Sequence, residues 1–192
     1  MTNTFNLSMR DHLFLLIKQK SYQYGEEMTL ASGKKSRHYF NMKPTMLNPQ
    51  GAYLIAHSML EAIMELEEKF TYIGGVELGA VPIASAIAPI SFIKGVPLNA
   101  FIIRKQAKQH GTQSLIEGLT KDETLKDKNV IIVEDVTTTG GSAIKAIEAV
   151  RQEGAVVNHI LTIIDREEGA TEAFAENDVT LTSLFKKSDF KE

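Results

Sequence analysis

The chain contains no cysteine. Disulfides, thiolate metal sites and cysteine nucleophiles are therefore excluded, and a reducing compartment fits. Long hydrophobic runs are missing too. The N-terminal "MTNTFNLSMRDHLFLLIKQK" holds an apolar run of only about five residues, ended by lysine, which is too short for the core of a secretory signal. Nothing approaches the ~20 apolar residues of a membrane span. Positive charge is not in excess: the net charge of −3 argues against general binding to nucleic acid or a membrane surface, so any anion site must be local. The expected setting is the cytoplasm. What is present is ordinary: 192 residues, 43% hydrophobic and 23% charged, enough for one domain with a real core and short for two. No internal repeat, low-complexity tract or linker interrupts it.

The pattern alternates strands and helices. Ser8 with Asp11 three residues later reads as a capping box opening a helix to about Lys20. "EMTLASGKKSRHYFNMK" reads as two short strands around a turn at Ser32-Gly33. Pro49 to Phe70 is helical, with Leu54, Ile55, Met59, Ile63 and Leu66 at helical spacing. Val81 to Lys94 is a helix apolar nearly all round, and is expected to be buried. Ser142 to Glu153 is a helix stopped by Gly154. "YIGGVE", "PLNAFII", "NVIIVED", "VVNHILTIID" and "VTLTSLF" are strands. Strands rich in Val and Ile, separated by helices, predict an α/β fold: a Rossmann-like parallel sheet with helices on both faces. The chain reads as a single domain over 1–192, with 1–48 forming a small N-terminal hood of short strands and helix.

In such a sheet, ligands sit beyond the carboxyl ends of the strands. Four strand ends carry "LGAVPIA", "RKQAKQHGTQSLIEG", "EDVTTTGGS" and "REEGA". They bring glycine, base, acid with hydroxyl, and arginine to one edge. The third is the most telling. Thr137, Thr138, Thr139, Gly140, Gly141 and Ser142 open a helix, so backbone N–H groups, hydroxyls and the helix dipole converge on one point. That is a phosphate cradle. It is not a Walker loop, since no lysine follows the glycines, and its glycine spacing is not that of the dinucleotide fingerprint. Glu134 and Asp135 would repel a bare phosphate but suit the hydroxyls of a ribose, so the stretch reads as a ribose-5-phosphate clamp. In the second strand end, Arg104, Lys105, Lys108 and His110 place four potential cations within seven residues of an acidic protein. Such a cluster suits a highly charged leaving group such as pyrophosphate. The segment 104–118 is polar and contains glycine, so it is expected to move and close as a lid. His12, His38, His57 and His159 form no ligand cluster in the sequence.

"VIIVEDVTTTGGSA" resembles the signature of type I phosphoribosyltransferases, which bind phosphoribosyl pyrophosphate (PRPP). Within that class "RKQAKQHG" resembles the catalytic loop of the orotate phosphoribosyltransferases. "TLASGKKSRHYFN" resembles their N-terminal strand pair, and "IIDREEGA" their orotate-contacting segment. The resemblance spans most of the chain and implies the type I phosphoribosyltransferase fold. It implies Mg²⁺-dependent transfer of the phosphoribosyl group from PRPP to orotate, giving orotidine 5′-monophosphate and pyrophosphate on the route to UMP. It also implies a cytoplasmic homodimer whose catalytic loops are shared between subunits.

The resemblance assigns PRPP to Arg104, Lys105, Lys108, His110, Glu134, Asp135, Val136, Thr137, Thr138, Thr139, Gly140, Gly141 and Ser142. Lys108, Arg104, Lys105, His110 and Asp135 are implied in catalysis, with Lys108 foremost. Orotate falls to Tyr39, Phe40, Thr138 and Arg166. No protein side chain ligates metal directly; Mg²⁺ arrives on PRPP. The alternative for Arg166 is a surface ion pair with Glu167 or Glu168, and for Tyr39 and Phe40 it is plain strand core. Two departures stand out. Some family members carry a lysine where Ala31 stands, and a Tyr-Lys pair where Leu78 and Gly79 stand. Two other functions remain open: a phosphoribosyltransferase for another nucleobase, and a non-catalytic PRPP-sensing regulator.

Overall fold

The computed structural model describes residues 7–29, 35–106 and 115–191. The expected turn at Ser32-Gly33, together with Ala31, Lys108 and His110, lies outside them. Helix α1 (Met9–Lys20) starts as the sequence requires: Ser8 accepts from the Asp11 N–H, and Asp11 accepts in return from Ser8. Strands β1 (Tyr22–Thr29) and β2 (Lys35–Phe40) pair antiparallel, and a four-residue helix α2 (Lys43–Met46) follows. Helix α3 (Pro49–Met64) is capped by Asn48, whose side chain accepts from the Gly51 N–H. It stops short of the expected Phe70. Glu65, Glu67 and Glu68 crowd its C-terminal end, where the helix dipole disfavours negative charge. Glu68 instead turns to His159, 3.4 Å away.

The remaining elements build the main sheet. They are β3 (Tyr72–Val76), α4 (Ala80–Ile93), β4 (Asn99–Ile103), β5 (Ile116–Glu117), β6 (Asn129–Thr137), α5 (Gly141–Gln152), β7 (Val156–Asp165), α6 (Ala170–Ala175) and β8 (Thr180–Lys186). The strand order is β5-β4-β3-β6-β7-β8. Only the short β5 runs antiparallel. Because β3 and β6 are adjacent but the chain leaves β3 for β4 on the other side, the order reverses between them. That is where a crevice opens at the carboxyl edge of such a sheet.

Two apolar layers cover the sheet. One joins α1, α3 and α4 to one face, with Ile131, Val133, Leu161 and Ile163 fully enclosed. The other joins α5 and α6 to the opposite face around Val130, Ile132 and Phe174. Alternate residues of β6 thus face opposite layers, as the pleat demands. The expectation that α4 is buried all round needs correction. Ile83, Ala84 and Ile87 are buried, but Phe92 and Ile93 at its end are each 76% exposed, and Leu78 before it is 70% exposed. Its apolar outer face is covered by nothing among the described residues.

The hood is held to the far end of the sheet by a segment the sequence did not single out. Phe190, beyond β8, packs against Phe14, Tyr22 and Phe40, with ring centroids about 5 Å apart. The Tyr22 hydroxyl donates to the Phe190 carbonyl, and the Arg10 guanidinium donates to the Leu184 carbonyl. The hood therefore sits over the ends of β7 and β8.

Candidate active site

At the crevice between β3 and β6 lies a cavity of about 380 Å³. Its floor is the end of β6, which runs through Glu134, Asp135 and Val136 to Thr137. Its wall is the turn Thr138–Ser142 and the start of α5. Gly140 has φ +80, the left-handed region that favours glycine, and forms the N-cap of α5. Gly141 has ordinary φ, so only the first glycine of the pair is required by the backbone. The Thr137 Oγ1 is buried and has no partner among the described residues. A buried hydroxyl of this kind marks a place for a ligand oxygen. The other wall is Glu77, Leu78 and Gly79, directly after β3.

The two acids converge although they are neighbours on one strand. A Cβ built on Gly79 would lie 2.6 Å from Asp135 Oδ1 and 3.0 Å from Glu134 Oε1. Asp135 Oδ1 also accepts from the Val136 N–H at 2.9 Å. Enclosure pushes the Glu134 carboxyl up to about 8, and the neighbouring Asp135 adds to it, while Lys105 opposes it. At neutral pH the pair therefore tends to hold one proton, and it can both donate to and accept from a sugar diol.

Of the basic strand end, Arg104 and Lys105 lie among the described residues. Lys105 lines the cavity, and its backbone N–H donates to Glu77 Oε1 at 2.9 Å. Arg104 does not line it. Its N–H donates to the Leu115 carbonyl, and its guanidinium pairs with Glu117 at 2.9 Å, closing the base of the segment. Lys108 and His110 lie outside the described residues.

Arg166 lies beside the phosphate turn: its backbone N–H donates to the Thr137 carbonyl at 2.9 Å. Its guanidinium is buried under the hood. Nε donates to Glu168 Oε1 at 3.0 Å, and Nη2 donates to the His38 carbonyl at 3.3 Å. The ion pair with Glu168 exists, but it is enclosed and not at the surface, with 5% and 10% of the side chains exposed. Nη1 has no acceptor among the described residues. Phe40 is buried, with its ring 6.0 Å from that guanidinium, while Tyr39 points outward on the alternating face of β2. The expected aromatic pair is thus divided: Phe40 serves the core beneath Arg166, and Tyr39 stands exposed. Thr138 lines the cavity.

Three participants were not singled out by the sequence. Lys43, at the first turn of α2, lines the cavity from the hood. Glu77 and Glu117 anchor the two sides of the basic segment. Glu117 stands in "IEG" and Glu77 in "VELG", but a single acid in a loop gives no signal of its partner. Lys43 in "NMKPTM" was equally silent, because its neighbours across the crevice are distant in sequence.

A family model for the phosphoribosyl transferase domain matches residues 46–185. An orotate phosphoribosyltransferase of Rhodopseudomonas palustris (strain BisB18) is 55% identical over 181 residues, covering 94% of this chain and 95% of the relative. The chain belongs to the orotate phosphoribosyltransferases. A second orotate phosphoribosyltransferase, from Thermosynechococcus vestitus, is 40% identical and covers 95% of this chain and 93% of its own. Among solved structures, the orotate phosphoribosyltransferase of Mycobacterium tuberculosis H37Rv in complex with PRPP superposes with a TM-score of 0.75. It is 31% identical, covering 95% of this chain and 98% of that one. The fold is that of the family, and the crevice between β3 and β6 is its candidate active site.

Proposed function

We propose that this protein transfers the phosphoribosyl group of PRPP to orotate, giving orotidine 5′-monophosphate and pyrophosphate for pyrimidine (UMP) synthesis. The observation that carries the proposal is the crevice itself. A phosphate turn, a close pair of acids and Lys105 of the basic strand end line one cavity, and a buried guanidinium with one open nitrogen lies beside it. The 5-phosphate is assigned to the N–H groups and hydroxyls of Thr137–Ser142. The ribose hydroxyls are assigned to Glu134 and Asp135. The carboxylate of orotate is assigned to the open end of Arg166, whose planar fork suits it. A nucleobase without a carboxylate would leave that open nitrogen of Arg166 without a charged acceptor, which disfavours uracil and purines.

Among the described residues no cluster of three or more His, Asp or Glu could hold an ion alone. Mg²⁺, which takes oxygen donors, would instead arrive on PRPP without a direct protein ligand, with Glu134 and Asp135 holding the ribose hydroxyls beside it. When bound it would neutralise charge on the leaving diphosphate. Arg104 and Lys105, with Lys108 and His110, are assigned the same task. The N1 of orotate then attacks the ribosyl carbon as the bond to diphosphate breaks and an oxocarbenium-like centre develops. Positioning and charge do most of the work. The cytoplasmic setting belongs to the same reading.

The homodimer belongs to it as well. The stretch Leu78–Ile93 has no charged residue, and its outer face is apolar and uncovered among the described residues. A second copy related by a two-fold axis would bury it. The function is tested by the ultraviolet loss of orotate in the presence of PRPP and Mg²⁺, with uracil and adenine as competitors. Orotate-dependent release of pyrophosphate is expected, and its absence sinks the reading. Lys108→Ala should lower turnover at least ~100-fold. A hybrid of Lys108→Ala and Asp135→Asn chains should regain activity if the sites are shared. Phe92→Asp should dissociate the dimer in sedimentation.

A further inference from the structure

The cavity carries a mismatch of charge. The charged residues lining it are Glu77, Glu134 and Asp135 against Lys43 and Lys105. PRPP brings a monophosphate at one end and a diphosphate at the other, so the crevice must supply more cation than acid. The monophosphate has the turn and the helix start. Arg104 does not line the cavity and pairs with Glu117 beside it. Lys105 already faces Glu134. Among the described residues, Lys43 and Lys105 are the two cations that line the cavity, and Lys43 alone of them comes from the hood.

Lys43 is placed to supply it. Its ammonium makes no hydrogen bond or ion pair among the described residues, although three carboxylates line the same space. Its backbone is held firmly. The Lys43 N–H donates to Asn41 Oδ1 at 3.3 Å, Met42 and Met46 on either side are in the core, and the buried Thr45 hydroxyl bonds Ser21 at 2.6 Å. A rigid stub thus presents a free cation to the cavity from the hood. The opposite wall cannot do this. Leu78 and Gly79 carry no charge, and a Cβ on Gly79 would meet the carboxylates of Asp135 and Glu134 within 3.0 Å.

We infer that Lys43 is a diphosphate ligand of PRPP, reaching from the hood to the charge that the Gly79 wall leaves unmatched. This rests on the functional reading above, but it can be tested apart from it. Pyrophosphate with Mg²⁺, and separately ribose 5-phosphate, are titrated by calorimetry into the whole protein and into Lys43→Gln and Lys43→Ala. Losing a charge-assisted contact should weaken pyrophosphate roughly 10- to 100-fold. Ribose 5-phosphate should be nearly unaffected. In turnover, the KM for PRPP should rise by a similar factor with that for orotate unchanged, and Lys43→Arg should restore most of it. Since Lys43 is exposed, the melting temperature should not move. Unaltered pyrophosphate affinity overturns the assignment. So does equal weakening of pyrophosphate and ribose 5-phosphate, which would show only a diffuse field. If the wild-type protein consumed no orotate, the functional reading would fall, and the two titrations would still decide Lys43.

Discussion

Arg104 and Arg166 are the same residue in the same local setting, and the tertiary structure makes them opposites. Each directly follows a parallel strand, each donates its backbone N–H to a neighbouring carbonyl, and each pairs with a glutamate at 2.9 or 3.0 Å. The Arg104–Glu117 pair has about a third of each side chain exposed, at 35% and 34%. β4, which precedes it, has only the two-residue β5 outside it. β7 lies between β6 and β8, with the hood above, and the Arg166–Glu168 pair is enclosed. Distance alone would rank the two pairs equal. The surroundings do not: an exposed pair competes with water and salt, whereas removing one partner of an enclosed pair strands the other.

The largest effect is expected at the enclosed pair. Arg166→Ala should lower the unfolding free energy by at most about 3–5 kcal/mol in urea titration, because the enclosed Glu168 keeps only the more distant Lys187, 3.9 Å away. Removing Glu168 as well should restore part of that loss. A cost under about 1 kcal/mol would show that the two regions are energetically alike. Arg166→Lys keeps the charge but not the fork, so it should raise the KM for orotate by about 10-fold while leaving that for PRPP nearly unchanged.

Glu134 sharpens the contrast, as an acid at the same edge with no arginine. Its carboxyl stands at about 8 against an ordinary 4.5, through enclosure first and Asp135 second. Between those values the folded protein binds more protons than the unfolded chain, so stability without ligand should fall as pH rises from about 4.5 to about 8. Glu134→Gln should flatten that fall and raise the Tm at pH 8 by about 2–4 °C, equivalent to about 1 kcal/mol. Melting curves from pH 5 to 8.5 that are parallel for both proteins would refute it. The smallest effect belongs to the exposed pair. A double-mutant cycle on Arg104 and Glu117 should give a coupling of only about 0.2–1 kcal/mol, shrinking further in salt.

Legibility followed the range of the interactions. The Ser8–Asp11 box and the turn around Gly140 were readable because their hydrogen bonds and backbone requirements close within a few residues. The sheet was readable because enclosed parallel strands need continuous Val and Ile. Less could be seen where partners are far apart. The outer face of α4 looked buried because apolar content shows how much can be covered, not by what. Phe40 and Tyr39 looked like one pair because the alternation of β2 acquires a meaning only once the hood is docked. Arg166 had two glutamates within reach in sequence, and only the fold chose Glu168 over Glu167.

By itself, then, the sequence determined the alternation of strand and helix, the phosphate turn after β6 and the acids before it, all of which rest on local backbone preference and short-range hydrogen bonding. The tertiary structure decided the rest. It brought Gly79 against both carboxylates, seated Lys43 across the crevice, tied Arg104 to Glu117, and enclosed Arg166 under a hood fastened by Phe190. Those outcomes depend on burial and on contacts between segments far apart in the chain, and the free energy of a charge is set by what surrounds it.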